Sequence, residues 1–124
     1  MRHRRPRLAI IFALGTSTAF AQTANIVGLG AASCRQFNSD LDRNFQVQRD
    51  YFAWAQGLMS GLLLGAPAGK DEGLELNPPS LPLLQQVDFL RSFCANNPDK
   101  DYTDGVLELY RLLRKHSVPQ GPAL

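Results

Sequence analysis

The sequence predicts an all-α domain, a small bundle of about four helices stapled by one disulfide and preceded by a cleavable signal peptide. Three observations carry this expectation. Apolar residues recur at spacings of three and four in the longer segments. Two cysteines, Cys34 and Cys94, flank the most apolar of those segments. No strand alternation, hairpin signal or internal repeat competes with the helical pattern.

The first residues are read as an export signal. Arg2, Arg4, Arg5 and Arg7 form a basic head, Leu8 to Leu14 an apolar run, and Ala19-Phe20-Ala21 a small-x-small cleavage site. From Leu8 to Ala21 the stretch has only 14 positions, interrupted by Thr16, Ser17 and Thr18. A bilayer span needs about 20 apolar residues, so a cleaved signal is expected rather than an anchor. The Arg4-Arg5 pair is compatible with twin-arginine export, but the residues after it do not extend that motif, and the general secretory route is preferred. Processing is expected after Ala21, with the product periplasmic or secreted and no membrane span left in it.

Cleavage there leaves 103 residues, enough for one small domain. The whole chain carries +2, but four Arg leave with the signal, so nine Lys/Arg then face eleven Asp/Glu, a net charge of −2. The basic balance belongs to the export signal. With no basic cluster remaining, a nucleic-acid partner is not expected. Both cysteines survive processing. In an exported chain an even count reads as a disulfide, and two cysteines allow one intramolecular pairing, Cys34 with Cys94.

The segments follow in order. Residues 22–32 carry Gly28, Gly30 and few apolar groups, and are read as an irregular lead-in to a helical domain over 33–116. Ser33 is a good N-cap for a short helix through Cys34, Phe37 and Leu41. The polar run from Asn38 to Asn44 is expected to break or bend the chain. The central helix is placed from about Gln46 to Leu64. Within it Ala53, Gly57 and Gly61 form a small-residue stripe, Trp54, Leu58 and Leu62 a second stripe, and Ala55, Met59 and Leu63 a third. A helix apolar nearly all round belongs inside a protein, and the small stripe would let another helix approach closely. Trp54, Gly57, Leu58 and Gly61, with Phe93 and Leu109 from later helices, are therefore the expected core.

Residues 65–80 hold three Gly and three Pro and must form a loop. It is longer than most connections, which is often a mark of function or mobility. Ser80 is expected to cap the next helix, in which Leu84, Val87, Leu90 and Cys94 face inward. Asn96-Asn-Pro98 ends it. Asp101 or Thr103 starts the last helix, with Val106, Leu109, Tyr110 and Leu113 on its apolar face and Arg111, Arg114 and Lys115 suiting its C-terminal dipole. Residues 117–124, with Pro119 and Pro122, are read as a flexible tail.

The usual catalytic patterns are absent. The expected mature chain has one histidine, His116, on a charged last turn, which leaves a serine triad without a placed base. Gly57-Leu-Met-Ser-Gly61 lacks the first glycine of a nucleophile elbow and lies within a helix. Asp99, Asp101, Asp104 and Gly105 resemble a calcium loop, but no register supplies acids at both the first and twelfth positions. With no Cys-x-x-Cys and no histidine cluster, no metal is expected, and no motif asks for a cofactor. The charged loop residues Lys70, Asp71, Glu72 and Glu75 are the candidate surface for binding a partner. Trp54 is weighed as core against binding hot spot, and core is favoured.

An export signal precedes a cysteine in a short helix and then an aromatic-Ala-Trp-Ala-Gln-Gly-Leu-Met-Ser-Gly helix. After a breaker-rich loop come Phe-Leu-Arg-Ser-Phe-Cys-Ala-Asn-Asn-Pro and a last amphipathic helix. This order resembles the small periplasmic helical proteins of the HdeA type and the Tai-like immunity proteins of type VI secretion amidases. The resemblance runs from Cys34 to about Arg114, with Trp54, Gly57, Ser60, Gly61, Phe93, Cys94 and Pro98 as its markers. Relatives of this type commonly carry an aromatic where Leu58 stands. The immunity resemblance implies a non-enzymatic protein that binds and blocks a peptidoglycan-cutting effector. The HdeA resemblance implies a chaperone that opens in acid. A protein partner is expected on either reading, and a homodimer is compatible with both.

Overall fold

A computed structural model describes residues 24–117 of the chain. The expected signal peptide and its cleavage site, and residues 118–124 of the expected tail, lie outside them. Four helices follow a short 3-10 turn at Gly28–Ala31: α1 (Cys34–Arg43), α2 (Val47–Leu64), α3 (Leu83–Asn96) and α4 (Tyr102–His116). Among the described residues there is no strand, only an isolated antiparallel bridge between Ser33 and Asp101. The fold class is all-α, with one disulfide.

Local chemistry sets most boundaries. The Ser33 hydroxyl accepts from the Gln36 amide at 3.1 Å and caps α1 as expected. Two more of the amides left unpaired at that helix start are met from outside. Cys34 N–H donates to the Lys100 carbonyl at 2.7 Å, and Arg35 N–H to that of Pro98 at 3.0 Å. At α4, Asp101 and Asp104 form a reciprocal capping box. The run from Asn38 does not break α1, which continues to Arg43, because Asp40 is bonded by Gln36 at 2.6 Å and by Arg43 at 2.5 Å along the helix. Nor does Ser80 cap α3. Pro82 holds the cap position in extended backbone, where proline's fixed φ suits a helix start.

The Cys34–Cys94 bridge joins α1 to α3, both cysteines being fully buried. Next to it lies an aromatic cluster. The Phe37 ring stands 4.8 Å from that of Tyr51 and 4.9 Å from that of Tyr102, and the two tyrosines are 5.0 Å apart. Val106, Leu109 and Leu113 of α4 and Leu90 of α3 complete the core with Ala55 and Met59.

The central helix departs from expectation. Only its Tyr51, Ala55 and Met59 face is buried, while Ala53, Gly57 and Gly61 lie on the surface and Leu64 is 89 % exposed. A Cβ added at Gly57 or Gly61 would meet nothing within 4 Å. The two glycines are therefore not core, and no helix seats against their stripe. A domain this small has only α4, α1 and the 3-10 turn to lay against α2, which covers one side of it.

Close approach occurs instead at two other glycines. A Cβ on Gly30 would fall 1.9 Å from the Trp54 ring, and one on Gly105 would fall 2.8 Å from Phe93. Residues 28–31 are therefore a packed turn, not an irregular lead-in. Thr103 Oγ1 also ties them down by donating to the Gly30 carbonyl at 2.7 Å.

Candidate functional site

Residues 65–82 are the long excursion from the bundle, and they are built rather than loose. Gly69, Asp71 and Gly73 have φ of 82°, 59° and 76°, so the backbone coils tightly through alternate left-handed residues. Glycine adopts that region freely and aspartate tolerates it. The Glu72 carboxylate accepts from the Gly69 amide at 2.8 Å, closing the coil on itself.

The left-handed turn aims Asp71 back at α4. Arg114 donates to it twice, from Nε to Oδ1 and from Nη2 to Oδ2, both at 2.8 Å, and the Tyr110 hydroxyl donates at 2.9 Å. The guanidinium also lies 4.8 Å from the Tyr110 ring centre. A side-on fork of this kind fixes orientation as well as energy. The Asp71 side chain is only 8 % exposed. Its carboxyl is held below the ordinary carboxylate range, first by the Arg114 bonds and then by the Tyr110 hydroxyl. Burial, helped by the bond to Asp71, raises the Tyr110 hydroxyl.

A second anchor holds the far end of the loop. Gln86 on α3 is fully buried, and its Nε2 donates to the Leu76 and Leu81 carbonyls, both at 2.9 Å. Leu74, Pro78 and Leu81 are buried with it. The loop therefore supplies part of the core.

Between the anchored loop and α4 runs an open groove of about 280 Å3. Leu62, Ala66, Pro67, Leu107 and Tyr110 form apolar walls, and Lys70, Arg111 and Arg114 stand beside them. Lys70, Glu72 and Glu75 are exposed. Of the four loop residues singled out from the sequence, Asp71 is carried onto α4 and becomes the main fastening of the loop, while Glu72 closes the coil on the Gly69 amide.

The same arrangement recurs at α1. The Tyr51 hydroxyl donates to Asp40 at 2.7 Å, and Arg43 donates to that carboxylate as well. The Tyr51 bond leads the causes that lower Asp40, and burial leads those that raise Tyr51. Each Tyr–Asp–Arg trio fastens one element to another: α2 to α1 here, the loop to α4 at Asp71.

The other expected residues distribute as follows. Leu109 is fully buried, and Trp54, Leu58 and Phe93 are partly buried and packed on the core. Trp54 lies over Gly28 and Gly30, its ring 6.4 Å from that of Tyr102. In α3, Leu84 is 80 % exposed where an inward residue was expected, and Gln86 is inward instead. His116 lies near Ser80, with 3.1 Å between Nδ1 and Oγ. Among the described residues no three His, Cys, Asp or Glu side chains converge as metal ligands.

Sequence reasoning missed the partners of Asp71 and the role of Gln86. Arg114 is 43 positions from Asp71, and its place near a helix C-terminus already accounted for its charge. The one available hint was a tyrosine and an arginine four apart on a single α4 face.

Comparison of the chain with family models, curated proteins and solved structures finds no match. Fold and site together define a small, single-disulfide helical domain with a fastened surface loop. No described helix is long and apolar enough to cross a membrane, and the bridge is of the kind that persists in oxidising compartments.

Proposed function

We propose that this is a non-enzymatic binding protein of the immunity-like kind, exported to the periplasm, processed after Ala21 and recognising a protein partner through residues 65–80. A peptidoglycan amidase effector is the partner class implied by the family resemblance. The observation that carries this reading is the fastening of the loop by Asp71, Arg114 and Tyr110, which leaves Lys70, Glu72 and Glu75 exposed on an ordered backbone. Ordering a loop before binding removes an entropic cost of association, and connecting loops on a rigid scaffold commonly carry recognition.

The test uses the processed protein with Lys70→Glu, Glu72→Gln and Glu75→Lys together, all exposed positions; glutamine at 72 keeps an acceptor for the Gly69 amide, so the fastenings of the loop stay in place. Periplasmic extract passed over the wild type should yield a stoichiometric partner that the triple variant does not retain, although both melt alike. Equal retention by the two would remove the loop as the contact surface. Retention of nothing by the wild type would remove the reading itself.

A second reading, an acid-stress chaperone of the HdeA type, is favoured by one specific feature. Two inter-element fastenings, Asp40 with Tyr51 and Asp71 with Arg114, depend on carboxylates that protonation would disable. It predicts apolar-dye binding and suppression of client aggregation in acid but not at neutral pH. Identical behaviour in both buffers would dismiss it.

A further inference from the structure

The groove between the fastened loop and α4 differs in charge from the rest of the domain. Residues 24–117 carry nine Lys/Arg and eleven Asp/Glu. In the groove, Lys70, Arg111 and Arg114 face Asp71 alone, an excess of two positive charges in the lining, or one if Glu108, bonded to Arg111, is included. An acidic domain thus gathers cations along its apolar groove.

Arg114 is the best prepared of the three. Asp71 uses its Nε and one Nη2 hydrogen, and the Tyr110 ring supports the guanidinium plane. Of the five N–H donors on a guanidinium, three then remain on a fork whose orientation is already set. Lys70 has no ion pair among the described residues, and Arg111 is held only by an exposed pair within its own helix. Exposed pairs of that kind are worth about 0–1 kcal/mol, so Arg111 is readily recruited.

Openness decides between a small ligand and a chain. Pockets for small molecules enclose most of the ligand. This groove of about 280 Å3 is open to solvent, which suits side chains from a passing segment better. We infer that the groove between residues 62–71 and α4 receives an acidic, apolar segment of the protein partner, its carboxylates meeting Arg114, Arg111 and Lys70 and its apolar side chains meeting Pro67, Leu107 and Tyr110. The inference rests on the binding-protein reading and names the chemistry of the partner's contacting segment.

The experiment pans a displayed library of short random peptides on the processed, oxidised protein. Peptides enriched in Asp or Glu beside Leu or Phe are expected. Their binding should weaken about tenfold or more, 1.4 kcal/mol per decade, in Lys70→Glu and in Arg111→Glu, and should fall with added salt. Both changes are at exposed positions outside the Asp71 anchor, and an unchanged melting curve confirms that each variant folds. Selected peptides without an acidic bias, or equal binding by both variants, would overturn the inference. Competition by free glutarate at concentrations as low as those of the peptides would overturn it too, by making the groove a small-carboxylate site. The two readings fail separately. A natural partner lost in Glu72→Gln with Glu75→Lys but kept on reversing Lys70 and Arg111 would spare the binding-protein reading and end this one.

Discussion

Asp71 takes a left-handed backbone so that its carboxylate reaches two donors on α4, and Asp40 does the corresponding work for α1 and α2. Both carboxyls lie below their ordinary value of 3.8 when folded. A depressed folded pKa means stability that is fully present above the unfolded value and lost as pH falls through the folded one. The melting temperature should therefore hold steady from pH 7 to about pH 5 and decline below about pH 4. In Asp71→Asn the acid decline should be shallower, because one of the two contributors is gone. At the alkaline end the sign reverses. Tyr51 and Tyr110 are raised above 10.0, so their contribution is present below that value and lost above it. Thermal melts across the pH range check both limbs.

Glycine gives the sharpest contrast between two positions of one residue type. Gly57 has open space around the site of a Cβ, and Gly30 has the Trp54 ring 1.9 Å away. Gly57→Ala should stabilise the protein by about 0.5–1 kcal/mol, the ordinary helix-propensity difference. Gly30→Ala should destabilise it by about 1–3 kcal/mol through overpacking. Urea unfolding of the two variants reads both signs. Equal effects would mean that the exposed face of α2 is covered after all.

At the scale of elements, helix existence was legible wherever one face was apolar at helical spacing. In α4, Val106, Leu109, Tyr110 and Leu113 are all buried as the pattern requires. The cap at Ser33 and, as one of two candidates beside Thr103, the start of α4 at Asp101 were legible because capping is local chemistry. What failed was orientation. A helix with three apolar or small stripes does not say which of them finds a neighbour, and in α2 the small stripe found none. In α3, periodicity suggested Leu84 and overlooked Gln86, since a buried glutamine is stabilised by carbonyls of a loop whose position no spacing reveals. For the candidate site, the sequence showed that residues 65–80 form a long charged loop. It did not show the fastening, because Asp71 and Arg114 meet only through the fold.

For the whole molecule, the bridge is the largest single constraint. It links residues 60 apart, and removing such a cross-link costs about 4 kcal/mol in the chain-entropy model. Domains have about 5–15 kcal/mol in total. Reduction should therefore lower the melting temperature by roughly 15–30 °C for a chain of this size. Calorimetry with and without a reductant measures it directly, and a shift of only a few degrees would mean that packing between α1, α3 and the segment at 97–102 suffices without the sulfurs. The bridge holds α1 to α3, while the Asp71 anchor holds the loop against α4.

The most direct measurement of that surface is amide hydrogen exchange at neutral pH across residues 65–82, in the wild type and in Asp71→Asn. Within this stretch the amides of Lys70, Leu74 and Leu81 are bonded to carbonyls of Pro67, Asp71 and Pro78. These three amides should be protected in the wild type, and Lys70 and Leu74 should lose protection in the variant while α4 keeps its own. Exchange of the wild-type loop at the rate of a free peptide would contradict a fastened loop.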